Sequence, residues 1–300
     1  MARRLIAAVL VCLFAVANAP GAAGAWDVSC APRHGLRLTE RGHEPYAPDA
    51  AEISRMMAGL PRVPAGPRSR ASSAITVPTW VHVVSSGHAG ATEAAVRRQI
   101  ATLNNAYGGR LGGADTRVTF RLRGITRTDN PRWFRDPLGH EAQLKRSLRR
   151  GGADTLNLYV AEMGDVVLGY ATYPHQYARA PLLDGVVIDW RTLPGGTLPH
   201  FDQGMTGVHE IGHWLGLLHT FENGCLPPGD HVDDTPPEGV PTQGCPADKD
   251  TCPAPGKDPV HNFMNYSHDR CMTHFTAGQA ARIRQMWDAY RRPARGRPGG

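Results

Sequence analysis

Residues 208–221 read VHEIGHWLGLLHTF, and no other stretch restricts the fold so tightly. His209 and His213 stand four apart, so on a helix their imidazoles share one face and can offer two nitrogens to one ion. Glu210, one position on, is turned too far round to ligate easily but can reach a water bound to that ion. Gly216 falls where the helix has to stop if the chain is to fold back, because glycine takes the left-handed conformation of a helix terminus without a Cβ clash. The turn brings His219 up as a third ligand and leaves a fourth position to solvent, the pattern of a catalytic rather than a structural zinc site. With this chain's own frequencies of His, Glu and Gly, roughly one chain in ten thousand would carry the extended pattern by accident. The fold therefore has to place a helix, a glycine turn and a third histidine around one point.

The N-terminus has the layout of a secretion signal: Arg3 and Arg4, an apolar run over residues 5–17, then Ala23-Gly24-Ala25. That run is too short to span a bilayer comfortably, and no other approaches the ~18–20 residues a spanning helix needs. An exported protein is expected, with residues 1–25 removed and no stable membrane insertion. Of six cysteines Cys12 leaves with the signal, Cys30 stands alone, and Cys225, Cys245, Cys252 and Cys271 crowd the last quarter. In an oxidising compartment those four suggest two disulfides, for which three connectivities are open. A net charge of +6 could suggest a nucleic-acid partner. The arginines, however, gather in spacers and the tail (Arg62, Arg68, Arg70, Arg291, Arg292, Arg295, Arg297), and no RNA- or DNA-binding motif accompanies them, so none is expected.

At 300 residues and 41% hydrophobic content the chain can bury one sizeable core. Residues 26–70 lack strong periodicity and end in the Pro/Arg/Ser-rich linker PRVPAGPRSRASS, where a protease would nick. Strands are predicted over 75–86, 117–125, the TLNLYVA segment and 184–190. One helix carries Val96, Ile100, Leu103 and Tyr107 on a single face, and another carries Leu144 and Leu148. The metal-binding pattern sits on a helix expected over 203–218. Fifty irregular residues rich in Pro, Gly, Asp and Cys follow, a composition that needs cross-links or ions to hold it. A last helix opens with the capping box Thr276-x-x-Gln279 and buries Ile283, Met286, Trp287 and Tyr290. The order predicts an α/β lobe followed by a loop-rich one.

The extended H-E-x-x-H-x-x-G-x-x-H string resembles that of the metzincin metallopeptidases. HNFMNYSHDRCMTHFTAGQ looks like their methionine turn, with Met264 beneath the metal and Tyr266 two residues later. GCLPPGDHVDDTP, GCPADKDTCP and DPVHNFMNYSHDRCMTHFT, with GYATYP, DGVVI and LPGG upstream, are similar to the pappalysin family, specifically its small secreted microbial members. The likeness covers about residues 75–290. Where such proteins commonly have Arg-Thr-Leu-Thr before the first ligand, this chain has Met205-Thr206-Gly207-Val208, a change expected to bear on helix packing more than on chemistry.

The resemblance implies a metzincin-like α/β metallopeptidase: an N-terminal lobe with a twisted mixed sheet and helices over about 71–216, a disulfide-bonded, loop-rich lobe over about 217–292 ending in a helix, and a tail at 293–300. It implies Zn2+ on His209, His213 and His219, with Glu210 as general base between the zinc-bound water and the leaving amine. Tyr266 would hydrogen-bond the oxyanion, and Met264 would form an apolar floor. Cys225 would pair with Cys252, and Cys245 with Cys271. Ca2+ would bind the Asp230 side chain, the Val232 carbonyl and the Thr235 oxygens in GDHVDDTPPE. His261, His268 and His274 fall outside the ligand set. The implied product is a secreted endopeptidase, a monomer acting on protein or peptide substrates and made as a zymogen with residues 26–70 as pro-segment and linker. The alternative is a secreted zinc-binding adhesion module without turnover. Cys30 admits three readings: a free thiol, a link to another chain, or a thiolate that caps the zinc in the zymogen. Its context, SCAPRHG, lacks the Cys-Gly pair often seen in such switches. In some relatives an acidic pocket near the methionine turn selects a basic residue after the scissile bond; Asp269 is present there but so is Arg270, and no preference follows.

Overall fold

Five strands of a computed structural model, which describes residues 44–60, 73–164 and 167–293, build one sheet. They are β1 (Ile75–Ser85), β2 (Val118–Asp129), β3 (Leu156–Ala161), β4 (Gly169–Ala171) and β5 (Val186–Asp189), in the order β2–β1–β3–β5–β4. The first four in that order run parallel, and β4 closes the edge antiparallel to β5. Every residue of β3 and β5 is buried, as strands covered on both faces require. The helix α2 (Glu93–Tyr107) is capped by Thr92 and lays Val96, Ile100, Leu103 and Tyr107 into the core, as their spacing predicts.

Beneath the sheet runs α5 (Met205–Trp214), packed against α2, β4 and β5, with all ten of its residues buried. A helix with no solvent face is positioned by polar contacts as well as by packing. Gln99 Nε2 donates to the Gly204 carbonyl at 2.9 Å, and the Tyr107 hydroxyl donates to that of Val208 at 3.0 Å. The departure at Gly207 acts here, since a Cβ at that position would lie 2.6 Å from Gln99 Nε2. The helix is shorter than the predicted 203–218, because it ends at the left-handed Gly216 (φ +93°).

Other elements also depart from expectation. β2 runs on to Asp129, held by its parallel pairing with β1 as far as Ser85. The three-residue β4 is too short to show an alternation of its own. Within the stretch read as aperiodic lies α1 (Ala50–Ala58), capped by Asp49, with Ile53 and Met56 packed against Tyr173, Leu218 and Met286. At nine residues its apolar spacing barely registers in the sequence. Two short helices, α3 (Pro131–Arg135) and the expected α4 (Glu141–Leu148), complete the first half.

The irregular half is pinned as its composition demands. Disulfides join Cys225 to Cys252 and Cys245 to Cys271, the pairing implied by the family resemblance. Between them the buried Glu238 carboxylate accepts from Thr220 Oγ1, Thr242 Oγ1, Lys249 Nζ and Asn265 Nδ2. Among the described residues no helix is long and apolar enough to cross a membrane. Residues 1–25, Cys30, the linker at 61–72 and residues 294–300 lie outside those described.

The last helix, α6 (Ala277–Met286), starts on the predicted capping box and runs into a final turn that buries Arg291 completely. Its guanidinium pairs with the equally buried Asp184 at 3.1 Å, donates to the Trp214 carbonyl at 2.9 Å and lies 3.7 Å from the Trp214 ring. The turn that follows α6 is thereby tied to the end of α5. Arg291→Leu leaves the Asp184 carboxylate buried without its partner and is expected to cost about 3–5 kcal/mol in urea unfolding. Adding Asp184→Asn should recover part of that loss, and a neutral single variant would contradict the tie.

Candidate metal centre

Gly216 makes the centre possible in two ways. Its φ of +93° reverses the chain, and a Cβ there would stand 2.4 Å from Met286 Cγ. The turn it allows returns His219 to face α5. The three Nε2 atoms then converge, His213 lying 3.0 Å from His209 and 3.1 Å from His219. His209 Nδ1 is 2.8 Å from the Phe263 carbonyl, and His213 Nδ1 is 2.8 Å from that of Leu217. A carbonyl only accepts, so both rings carry their proton on Nδ1 and turn a bare Nε2 lone pair inward. The Tyr173 hydroxyl also lies 2.8 Å from His213 Nδ1. His219 is stacked on Phe221 with ring centroids 4.6 Å apart.

Lone pairs 3.0 Å apart repel each other, and no proton is left between His209 and His213 to bond them. A cation at the common point removes that repulsion. Nitrogen ligands at ~2.0–2.1 Å in a tetrahedron stand roughly 3.3 Å apart, close to the spacing here. Burial also holds the His213 pKa well below its usual range, which keeps the ring neutral as a ligand must be. The residues present fit a divalent metal.

Around this trio the expected partners are in place. Met264 is fully buried against α5; a Cβ at Gly212 would come within 2.3 Å of its sulfur. Its carbonyl accepts from the Thr220 amide at 3.2 Å, joining the methionine turn to the segment that carries His219. The Tyr266 ring lies 5.6 Å from His209 and 5.0 Å from His219. Glu210, 4% exposed, packs beneath β4, where a Cβ at Gly169 would come within 2.8 Å of its Cγ. Its Oε2 has no hydrogen-bond partner among the described residues. Burial, reinforced by the charge of Glu44, pushes the Glu210 carboxyl well above the ordinary range.

Glu44 is the residue that sequence reasoning missed. Its Oε1 lies 3.1 Å from His219 Nε2 and 3.7 Å from His209 Nε2, its Oε2 3.5 Å from His213 Nε2, and the Tyr266 hydroxyl donates to Oε1 at 2.9 Å. The donor atoms of Glu44 and the three histidines all lie within 4.8 Å of one another. A single carboxylate in an aperiodic stretch carries no motif, so no sequence signal pointed to it.

His261 is engaged away from the centre: its Nδ1 donates to the Cys271 carbonyl at 2.7 Å. His268 stacks on His200 at 4.2 Å, and His274 meets Thr273. Asp269 is buried on the wall of the cleft beside Met205 and Met272, where its Oδ2 accepts from the amides of Gln203 at 2.8 Å and Met205 at 3.3 Å. Burial pushes its carboxyl up to about 7. Arg270 points elsewhere, exposed, toward Cys245 Sγ. In the acidic loop the Val232 amide donates to Asp230 Oδ1 at 3.0 Å, and the Thr235 amide to the Val232 carbonyl at 3.2 Å. Burial pushes Asp230 up to about 7, against the pull of the Val232 amide and the nearby Thr235 hydroxyl. Its Oδ2 and Thr235 Oγ1 are buried and have no hydrogen-bond partner among the described residues.

A family model described as Pregnancy-associated plasma protein-A (Peptidase_M43) matches residues 156–288. "Extracellular metalloprotease 1" of Coccidioides posadasii is 39% identical over 251 residues, 81% of this chain and 87% of that protein. "Extracellular metalloprotease" of Verticillium alfalfae is 41% identical over 259 residues, covering 83% and 88%. Among solved structures, Tannerella forsythia mature mirolysin in complex with a cleaved peptide superposes with a TM-score of 0.61 at 28% identity, over 73% of this chain and 96% of that one. A promirolysin mutant from the same organism superposes at 0.62 and 27%, over 79% and 86%.

The glycine turn gives a test of the geometry. Gly216→Ala should weaken metal binding by about 10–100-fold, the usual effect of disturbing what orients a ligand, and lower the thermal midpoint. Competition with a chromogenic chelator reads the first, and unchanged affinity would separate the turn from the centre.

Proposed function

The chain belongs to the M43, or pappalysin, family of metallopeptidases, and from that premise we propose a secreted zinc endopeptidase made as a zymogen. It is a metalloprotease of metzincin fold. Export is supported by the relatives, named extracellular metalloproteases, and the zymogen by the likeness to promirolysin. Residues 1–25 are the signal, 26–70 the pro-segment and linker, with cleavage among Arg62–Arg70, and 71–300 the catalytic domain.

One observation carries the reading: imidazoles whose Nδ1 protons are fixed by the Phe263 and Leu217 carbonyls aim their lone pairs at one point beside an unpartnered, buried Glu210 oxygen. His209, His213 and His219 hold the zinc, which when bound supplies Lewis acidity toward the scissile carbonyl and toward water. Glu210 takes a proton from the attacking water as its oxygen bonds to the carbonyl carbon. It returns that proton to the amide nitrogen, whose bond to carbon then breaks. The depth that raises its proton affinity suits a group that both takes up and gives back a proton. Tyr266 donates its hydroxyl to the developing oxyanion, an effect worth ~2.7–4 kcal/mol for comparable donors. The substrate, a protein or peptide, lies in the cleft walled by Leu168, Gly169, Thr206 and Tyr266, beside the edge strand β4. An adhesion module with an inert ion has no use for a carboxylate desolvated beside it.

We also assign calcium to Asp230, the Val232 carbonyl and Thr235. Two unpartnered buried oxygens in a tight turn are what a hard cation satisfies.

Glu210→Gln keeps the shape and removes the base; peptide hydrolysis should fall by ~10²–10⁴ while metal content by atomic absorption stays at one per chain. Cleavage at the parental rate would discard the assignment. For calcium, saturation at about 100 times Kd adds ~2.7 kcal/mol, so a calcium-selective chelator should lower the thermal midpoint by roughly 5–10 °C. Asp230→Ala should abolish that response, and a chelator-insensitive parent would remove all three residues from the ligand set.

A further inference from the structure

We propose that Glu44 is the residue by which the pro-segment closes the metal centre, its carboxylate taking the position that the processed enzyme opens to solvent, and that Tyr46 anchors it there. The proposal rests on the zymogen reading above and replaces Cys30 as the capping group.

Glu44 faces the centre with 10% of its side chain exposed. A carboxylate so deeply placed needs a positive partner or several hydrogen-bond donors. Tyr266 supplies one donor. His209 and His213 supply none, because their protons are committed on the far side of the ring to backbone carbonyls, and His219 Nε2, 3.1 Å from Oε1, supplies at most one more. A divalent cation among the three Nε2 atoms gives the missing charge, and Glu44 is then its fourth protein ligand.

The arrangement also imitates a substrate. Oε1 takes a hydrogen bond from the Tyr266 hydroxyl at 2.9 Å, the donor assigned to the oxyanion, while Oε2 lies 3.5 Å from His213 Nε2. One planar anion thus occupies both places at which a scissile carbonyl would be polarised.

The contact is built on both sides. A turn closed by the Ala47 amide on the Glu44 carbonyl at 3.0 Å presents the carboxylate. Tyr46 follows: its hydroxyl donates to Glu141, its ring lies 5.8 Å from the buried Lys145 ammonium and 6.0 Å from the Tyr170 ring, and Gln176 donates to its carbonyl at 3.3 Å. Asp49 then caps α1, whose Ile53 and Met56 are buried against the catalytic body. Glu44 lies upstream of Arg62–Arg70, so cleavage there severs this whole run from the enzyme. With a single open coordination position, Glu44 and Cys30 exclude each other.

Cobalt in place of zinc separates the two. In the full chain carrying Glu210→Gln, which cannot cut itself, the cobalt-loaded protein should show no sulfur-to-cobalt charge-transfer band. Glu44→Gln should change its visible ligand-field spectrum, and Cys30→Ser should leave that spectrum untouched. With Glu210 intact, Glu44→Gln should raise peptide hydrolysis by the uncut chain at least about tenfold, Tyr46→Ala should move it the same way, and Cys30→Ser should stay silent. A charge-transfer band lost in Cys30→Ser overturns the proposal, and that reading needs no Glu44 variant to fold. So does an unaltered cobalt spectrum in Glu44→Gln. Parent chain cut at the linker is the control: if it fails to hydrolyse peptide, the protease reading falls; if it succeeds while either of those results appears, only the role of Glu44 falls.

Discussion

Two backbone carbonyls decide the chemistry of this protein. Phe263 and Leu217 each take the Nδ1 proton of a histidine, which fixes the tautomer, fixes the ring plane and leaves bare lone pairs on the inside. Converging lone pairs are unfavourable in themselves. The cost of holding them together is met by the fold and repaid only when a cation binds. Phe263 belongs to the methionine-turn segment and Leu217 to the glycine turn, so the centre exists only when the two ends of the catalytic half are correctly placed against α5.

That dependence explains why so irregular a segment is so thoroughly tied. Each disulfide closes a loop of 26 or 27 residues, worth on the order of 3–4 kcal/mol by loop entropy. Glu238 gathers donors from ahead of the disulfide-bonded loops and from within them, and one of them, Asn265, directly follows Met264. From the other direction Arg291 reaches the carbonyl that ends α5. Buried carboxyl groups serve here as fixed points: Asp184 and Glu238 each collect donors from distant parts of the chain, and Asp269 ties the Gln203 and Met205 amides to the methionine-turn segment.

The histidine trio, the glycine turn and the core face of α2 were legible in the sequence because each depends on spacing within a single element. The disulfide pairing came through family resemblance, since four cysteines allow three pairings and spacing does not choose among them. What stayed hidden depends on contacts between remote segments. Strand β4 exists only through its pairing with β5, and α1 is stable because Tyr173, Leu218 and Met286 cover its apolar side. Glu44 is the extreme case: 175 residues separate it from His219. Asp269 was visible as an acid near the methionine turn, but its burial, and the outward course of Arg270 beside it, belong to tertiary structure.

A centre arranged to welcome an anionic oxygen cannot readily refuse a carboxylate. A cation held by the three imidazoles and the Tyr266 hydroxyl beside it suit an oxyanion, and for the same reason they suit Glu44 or any other acid able to reach them. Free carboxylates bind such a site weakly because they must give up translational freedom and solvation. A tethered one does not, since attachment replaces the bulk concentration with an effective one in the millimolar range or above. The Tyr46 anchor and α1 raise it further by removing the conformations in which Glu44 points elsewhere. On the proposed reading, cutting the linker would end that advantage, and activation by proteolysis would follow from the arithmetic of tethering with no rearrangement of the catalytic residues.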